Sequence, residues 1–127
     1  MLQGVLGRSG MRADNGVVQF GIPRAEAITE DGMPLPPAMG TGVAINFEPN
    51  EDGKAAITGD FVLVGDEVNA VASTLRSSGI EVTALHNHAL RDQPRLFYMH
   101  FWADDDPMKL ASGLRAALDE INVAPPA

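Results

Sequence analysis

The sequence predicts an α+β fold: one antiparallel-dominated sheet with two helices on one face, a βαββα ferredoxin-like core preceded by N-terminal strands. Three observations predict it. From Ala55 onward the apolar period alternates between two and 3.6 in the order strand, helix, strand, strand, helix. Turn residues separate each apolar run from the next. A length of 127 residues with 45% apolar content suits one domain able to bury a core. We assign residues 1–123 to that domain and 124–127 to a proline-rich, frayed tail.

Taken in order, Val5 to Gly10 and Val17 to Ile22 read as short strands, joined by the turn signal Asp14-Asn15-Gly16 and closed by Pro23. Residues 24–40 hold Pro34, Pro36, Pro37, Gly32 and Gly40, and read as a long loop, functional or disordered. Val43 to Phe47 and Ala55 to Val64 read as strands around a turn at Asn50 to Gly53. A helix follows, with Asp66 as N-cap and Glu67 in a first turn where the helix dipole favours negative charge. Val68, Val71, Ala72 and Leu75 make its apolar stripe, and Gly79 ends it. Strands at Ile80 to His88 and Arg95 to Trp102 flank a turn at Asp92-Gln93-Pro94. Asp106 as N-cap and Pro107 at the first helical position open a second helix with its stripe at Leu110, Leu114, Leu118 and Ile121.

Composition narrows the function. The net charge of −8 and pI near 4.6 argue against nucleic acid and anionic membrane as partners. A small-molecule substrate or ligand is the expected partner. Cysteine is absent, so a metal site must use histidine, carboxylate, carbonyl or water. The first 20 residues show neither the basic start nor the apolar core of a signal peptide, and no apolar run approaches a membrane span. The expected location is cytoplasmic, or extracytoplasmic had a leader been removed.

All three histidines lie between Glu81 and Trp102, in EVTALHNHALRDQPRLFYMHFW. His86 and His88 are two apart, which on a strand turns both to one face. With an even-to-even register in the hairpin, Ile80, Val82, Ala84, His86 and His88 share a face with Leu96, Tyr98, His100 and Trp102. Opposed residues then lie about 4.5–5.5 Å apart, so the three imidazoles can converge on one ion. An odd-to-even register would put His100 on the far side. The plainer alternative keeps His86 and His88 as polar rim residues and His100 as an interior histidine.

Zinc suits three imidazoles and keeps a fourth position open; copper or another divalent transition metal is the alternative. Met33, Met39 and Met99 raise the copper reading, although Met99 should face away from His100. Glu67 is the candidate for orienting a ligand or acting as base, with Asp60 and Asp92 as similar possibilities. Tyr98 is the candidate donor to a bound oxyanion. Arg24 could bind a carboxylate or phosphate. Asp104, Asp105 and Asp106 read as a helix start, not a calcium loop. No P-loop, dinucleotide fingerprint, nucleophile elbow or HExxH appears. A cupin-like reading of His-x-His followed by Asp92 is opposed by the two helices and the missing glycine pattern.

The segments GDFVLVGDEVNAV, GIEVTALHNHAL, PRLFYMHFWA and KLASGLRAALDE, with GIPR at 21–24, resemble the LppY/LpqO family of bacterial conserved lipoproteins of unknown function. TALHNH and MHFW are the most specific blocks. The resemblance implies the fold and the importance of His86, His88 and His100, and carries no reaction. Many members of that family hold two copies of the unit where this sequence has one, so the resemblance implies a homodimer rebuilding the pair. The expected function is a zinc-dependent hydrolase or lyase acting on a small molecule. The alternatives are a non-catalytic metal- or ligand-binding module and a dimeric structural domain.

Overall fold

Apolar residues at every second position give each long strand one buried side. Val18, Phe20 and Ile22, then Val43, Ile45 and Phe47, then Ala55, Ile57, Phe61 and Leu63 are all buried. The computed structural model describes residues 2–13 and 15–125. Its elements are α1 (Leu2–Leu6), β1 (Met11–Arg12), β2 (Val18–Pro23), β3 (Thr29–Glu30), β4 (Met33–Pro34), β5 (Gly42–Pro49), β6 (Ala55–Leu63), α2 (Val68–Ser77), β7 (Glu81–His86), β8 (Asp92–Gln93), β9 (Phe97–Asp105) and α3 (Pro107–Leu118).

The main sheet has the order β1-β2-β5-β6-β9-β7, and every neighbouring pair is antiparallel. Both β6 and β7 run against β9, so they are parallel to each other with β9 inserted between them. That is the split βαβ arrangement the sequence predicts, with α2 as its crossover. β5 takes the place beside β6 where a ferredoxin-like fold puts its last strand. The helices cover one face: Val71 and Leu75 of α2, with Leu110, Leu114 and Leu118 of α3, join Met99 and Phe101 in one core. No helix among the described residues is long and apolar enough to cross a membrane.

Several expected elements differ. The strand expected at Val5 to Gly10 is instead the helix α1, ended by Gly7 at φ 70°, whose N–H donates to the Gln3 carbonyl. Leu6 buries itself completely, and α1 packs along α3. Tertiary docking decides here, because Leu2, Val5 and Leu6 fit a helical stripe as well as a strand. The turn expected at Asp14-Asn15-Gly16 holds at Gly16, while Asp14 lies outside the described residues, as do two residues of the expected tail, Pro126 and Ala127. Ala124 of that tail is paired: its N–H donates to the Pro23 carbonyl. Asp66 is not an N-cap, because a 3₁₀ turn at Gly65–Glu67 precedes α2. Asp106 does stand at the N-cap of α3, and Gly79 takes the positive φ that ends α2.

Residues 24–40 form a small structured unit. β3 and β4 make a hairpin across Asp31-Gly32, both at positive φ, and β8 pairs on the other side of β3. Asp92-Gln93 is therefore a strand, not the tip of a hairpin. The link between β7 and β9 is a longer loop closed on itself: Asn87 donates to the Leu96 carbonyl, and the Arg95 guanidinium donates to the carbonyls of Ala89 and Leu90.

Candidate metal centre

β7 and β9 carry the site, and their pairing decides which face each histidine takes. Val82 pairs with Phe101, but Ala84 pairs with His100 and His86 with Tyr98. The register shifts by one residue between Val82 and Ala84, leaving Thr83 unpaired as a bulge. Below the bulge, Val82 follows the core side. Above it, even positions of β7 lie with even positions of β9. The expectation that Ile80 and Val82 share the histidine face is thus corrected: Ile80 is fully buried in the helix-side core. Without the shift, His86 would fall opposite Phe97 and turn toward that core.

His88 lies just past the end of β7, in a bend, and not on the strand as expected. It nevertheless folds back onto the other two. The ring centroids of His86 and His88 are 4.8 Å apart, and those of His86 and His100 4.9 Å. One nitrogen from each ring falls within 4.8 Å of the others. Nitrogens on a tetrahedral zinc, with bonds of about 2.0–2.1 Å, sit roughly 3.3 Å from one another. The three rings are thus gathered, more loosely than a bound ion would hold them. His86 and His88 are exposed and His100 is half-buried, so the cluster opens to solvent on the side away from the helices. The donor set fits a borderline divalent cation.

Two neighbours complete the geometry. Asp60 of β6 is directly opposite His100 across the β6–β9 ladder. Burial raises the Asp60 carboxyl above its ordinary value, against the pull of His100, the Ala44 amide, His88 and His86. His88 is held below its ordinary value by burial and then by His86 and His100, with Asp60 opposing. A depressed imidazole is neutral, which is the ligating form. Tyr98 stacks on His88 with centroids 3.6 Å apart and planes at 9°. Only 4% exposed, Tyr98 fixes one wall of the cluster. Burial, with Asp92 and Asp60 adding, raises its hydroxyl above the usual phenol value.

Asp60 also borders two grooves. One, of about 600 Å³, is lined by Thr58, Thr83, His100 and Trp102 beside it. The other, of about 490 Å³, runs past Pro37, Gly40, Gly42 and Ala44 to His88.

The other sequence candidates lie elsewhere. Glu67 does not face the histidines as an orienting group or base: its oxygens accept from Arg24, from the Val64 N–H and from the Asn122 N–H. Burial opposes that charge, but the Arg24 guanidinium and the two amides outweigh it and hold Glu67 below its ordinary value of 4.5. Arg24 is buried and occupied by Glu26, Glu67 and the Val62 carbonyl, so it is an internal tie and no anion receptor. Asp92 is 3% exposed and accepts from the Leu96 N–H. Met99 is buried on the helix side, while Met33 and Met39 stand exposed. Asp105 pairs with Lys109 on α3, as a helix start should. Sequence reasoning weighed Asp60 below Glu67. The signal that could have reversed them was its even position on a strand beside the histidine hairpin.

Residues 1–120 match the model of a Domain of Unknown Function (DUF1259). The chain belongs to that family. No curated protein and no solved structure is significantly similar to it.

Proposed function

We propose that this member of the DUF1259 family is a small zinc-dependent enzyme, a hydrolase or lyase acting on a small molecule. The observation that carries the reading is the convergence of His86, His88 and His100 beside Asp60 at the mouth of two grooves. Zinc held by three imidazoles supplies a Lewis acid with an open fourth position. Asp60, its basicity raised by burial, accepts a proton from the nucleophile or substrate. Tyr98, its hydroxyl raised above the usual phenol value, keeps its proton at neutral pH, and its ring, stacked on His88, orients that imidazole. Burial of Met99 on the other face favours zinc over copper, which would want a thioether.

Protein purified without a histidine tag should bind one zinc per chain, by elemental analysis and calorimetry. Absence of a stoichiometric transition metal, with melting unchanged by chelation, would remove the reading. The exposure of His86 and His88 favours one alternative, a metal-binding module without turnover; it predicts tight zinc binding and no activity on any ester, amide or lactone panel. We also propose that a second copy adds along the outer edge of β7, unpaired among the described residues. Light scattering should then give twice the 13.5 kDa chain mass.

A further inference from the structure

The groove beside His100 has a lining that the metal site does not use. Trp102 shares the His100 face of β9 and leaves 43% of its surface exposed, so part of its indole face is open to a ligand. Thr58 is opposite Trp102 across the β6–β9 ladder, and Thr83 is the residue freed from pairing by the bulge. Asp60 closes the end nearest the histidines. No lysine or arginine lines this groove among the described residues.

That lining selects a chemistry. Asp60 in the lining, Glu81 opposite Trp102 across the β7–β9 ladder, and no lining cation among the described residues oppose a phosphate or carboxylate on the ligand. Two threonine hydroxyls and a carboxylate give acceptors and donors suited to ligand hydroxyls. The negative face of the indole attracts the polarised C–H groups on the flat side of a saturated ring. The groove is shallow and open to solvent, so it offers one flat wall to one face of a ring and leaves the other face in water.

We propose that Trp102, Thr58, Thr83 and Asp60 form a subsite for a neutral sugar ring, which stacks on Trp102 and presents its hydroxyls to Thr58 and Asp60. The subsite names the substrate class of the zinc centre and in that respect rests on the preceding reading. It binds one ring of a saccharide and leaves an adjoining bond beside His100.

Trp102 is the single tryptophan of the chain, so its fluorescence reports on the subsite directly. The probes are neutral trisaccharides of glucose, mannose, galactose and N-acetylglucosamine, with glucose 6-phosphate and glucuronate as anionic controls. Each is titrated into zinc-loaded and into chelator-treated protein, with amide NMR spectra followed in parallel. At least one neutral saccharide should give a saturable emission change with shifts at Thr58 and Thr83. Thr58→Val and Thr83→Val keep the reporter and should weaken that binding about tenfold each, and Trp102→Ala should do so by at least as much in the NMR titration. No saturable response from any neutral saccharide overturns the proposal, as does tighter binding of the anionic controls or indifference to all three substitutions. Saccharide binding that survives when no zinc binds leaves the subsite standing and removes the zinc reading. Zinc binding without saccharide binding does the reverse.

Discussion

Asp60 and His100 face each other across one rung of the ladder, and that pair carries the sharpest test of the site. His100→Ala removes a ligand from the middle of a strand and should abolish stoichiometric zinc binding by calorimetry. Asp60→Asn keeps the shape but not the charge, and should lower zinc affinity or turnover about 10- to 100-fold. Unchanged affinity and unchanged turnover in Asp60→Asn would take that carboxylate out of the site. Glu67→Gln belongs to another region and should leave zinc affinity untouched, because Glu67 is spent on Arg24 and two backbone amides.

Two ties between elements set the stability. Gly59 of β6 sits at φ 153°, and a Cβ there would press on the Ala44 carbonyl of β5 and the Phe101 ring of β9. Backbone on one side cannot yield, so Gly59→Ala should destabilise by about 2–4 kcal/mol in urea unfolding. A near-neutral result would mean that β5 and β6 can part at this point. The other tie is Arg24, which joins the end of β2 to Glu67 ahead of α2 and to Glu26. Arg24→Leu strips the cation from both carboxylates, leaving Glu67 only its two backbone amides, and should cost about 3 kcal/mol.

Because Glu67 and Glu26 are both depressed below 4.5, their stabilisation is present above that value and lost as pH falls through their lower folded values. Acid unfolding of the native chain should therefore steepen below about pH 4.5. Arg24→Leu should flatten that slope. An identical slope in the two proteins would mean the pair contributes nothing in acid.

At the scale of the molecule, the histidines lie on the open face of the sheet and the helices on the other. The core is complete without metal, so the apoprotein should fold. Zinc at about 100 times its dissociation constant should add roughly 2.7 kcal/mol, read as a rise of several degrees in melting temperature that a chelator reverses. Unfolding of the chain on chelation would make the metal structural.

Much of this was legible in the chain. Period-two runs gave β2, β5, β6 and β9 to within a few residues, and the stripes Val71–Leu75 and Leu110–Leu118 gave both long helices with their buried sides. α1 was not legible, because five residues hold too little periodicity to separate helix from strand. The hairpin β3–β4 has a signal in Asp31-Gly32, masked by the loop character of the prolines that follow it.

Local preference thus determined the long strands, the two long helices and their order, since apolar period, capping and turn chemistry act between near neighbours, and the sequence itself groups all three imidazoles in one 22-residue stretch. Only the tertiary structure decided that His86 meets His100, that Asp60 stands opposite His100 and borders both grooves, and that Glu67 belongs to Arg24. The first two depend on register and on the bulge at Thr83, the third on Arg24 reaching from the end of β2 to the turn before α2, and all are settled by partners that lie far along the chain.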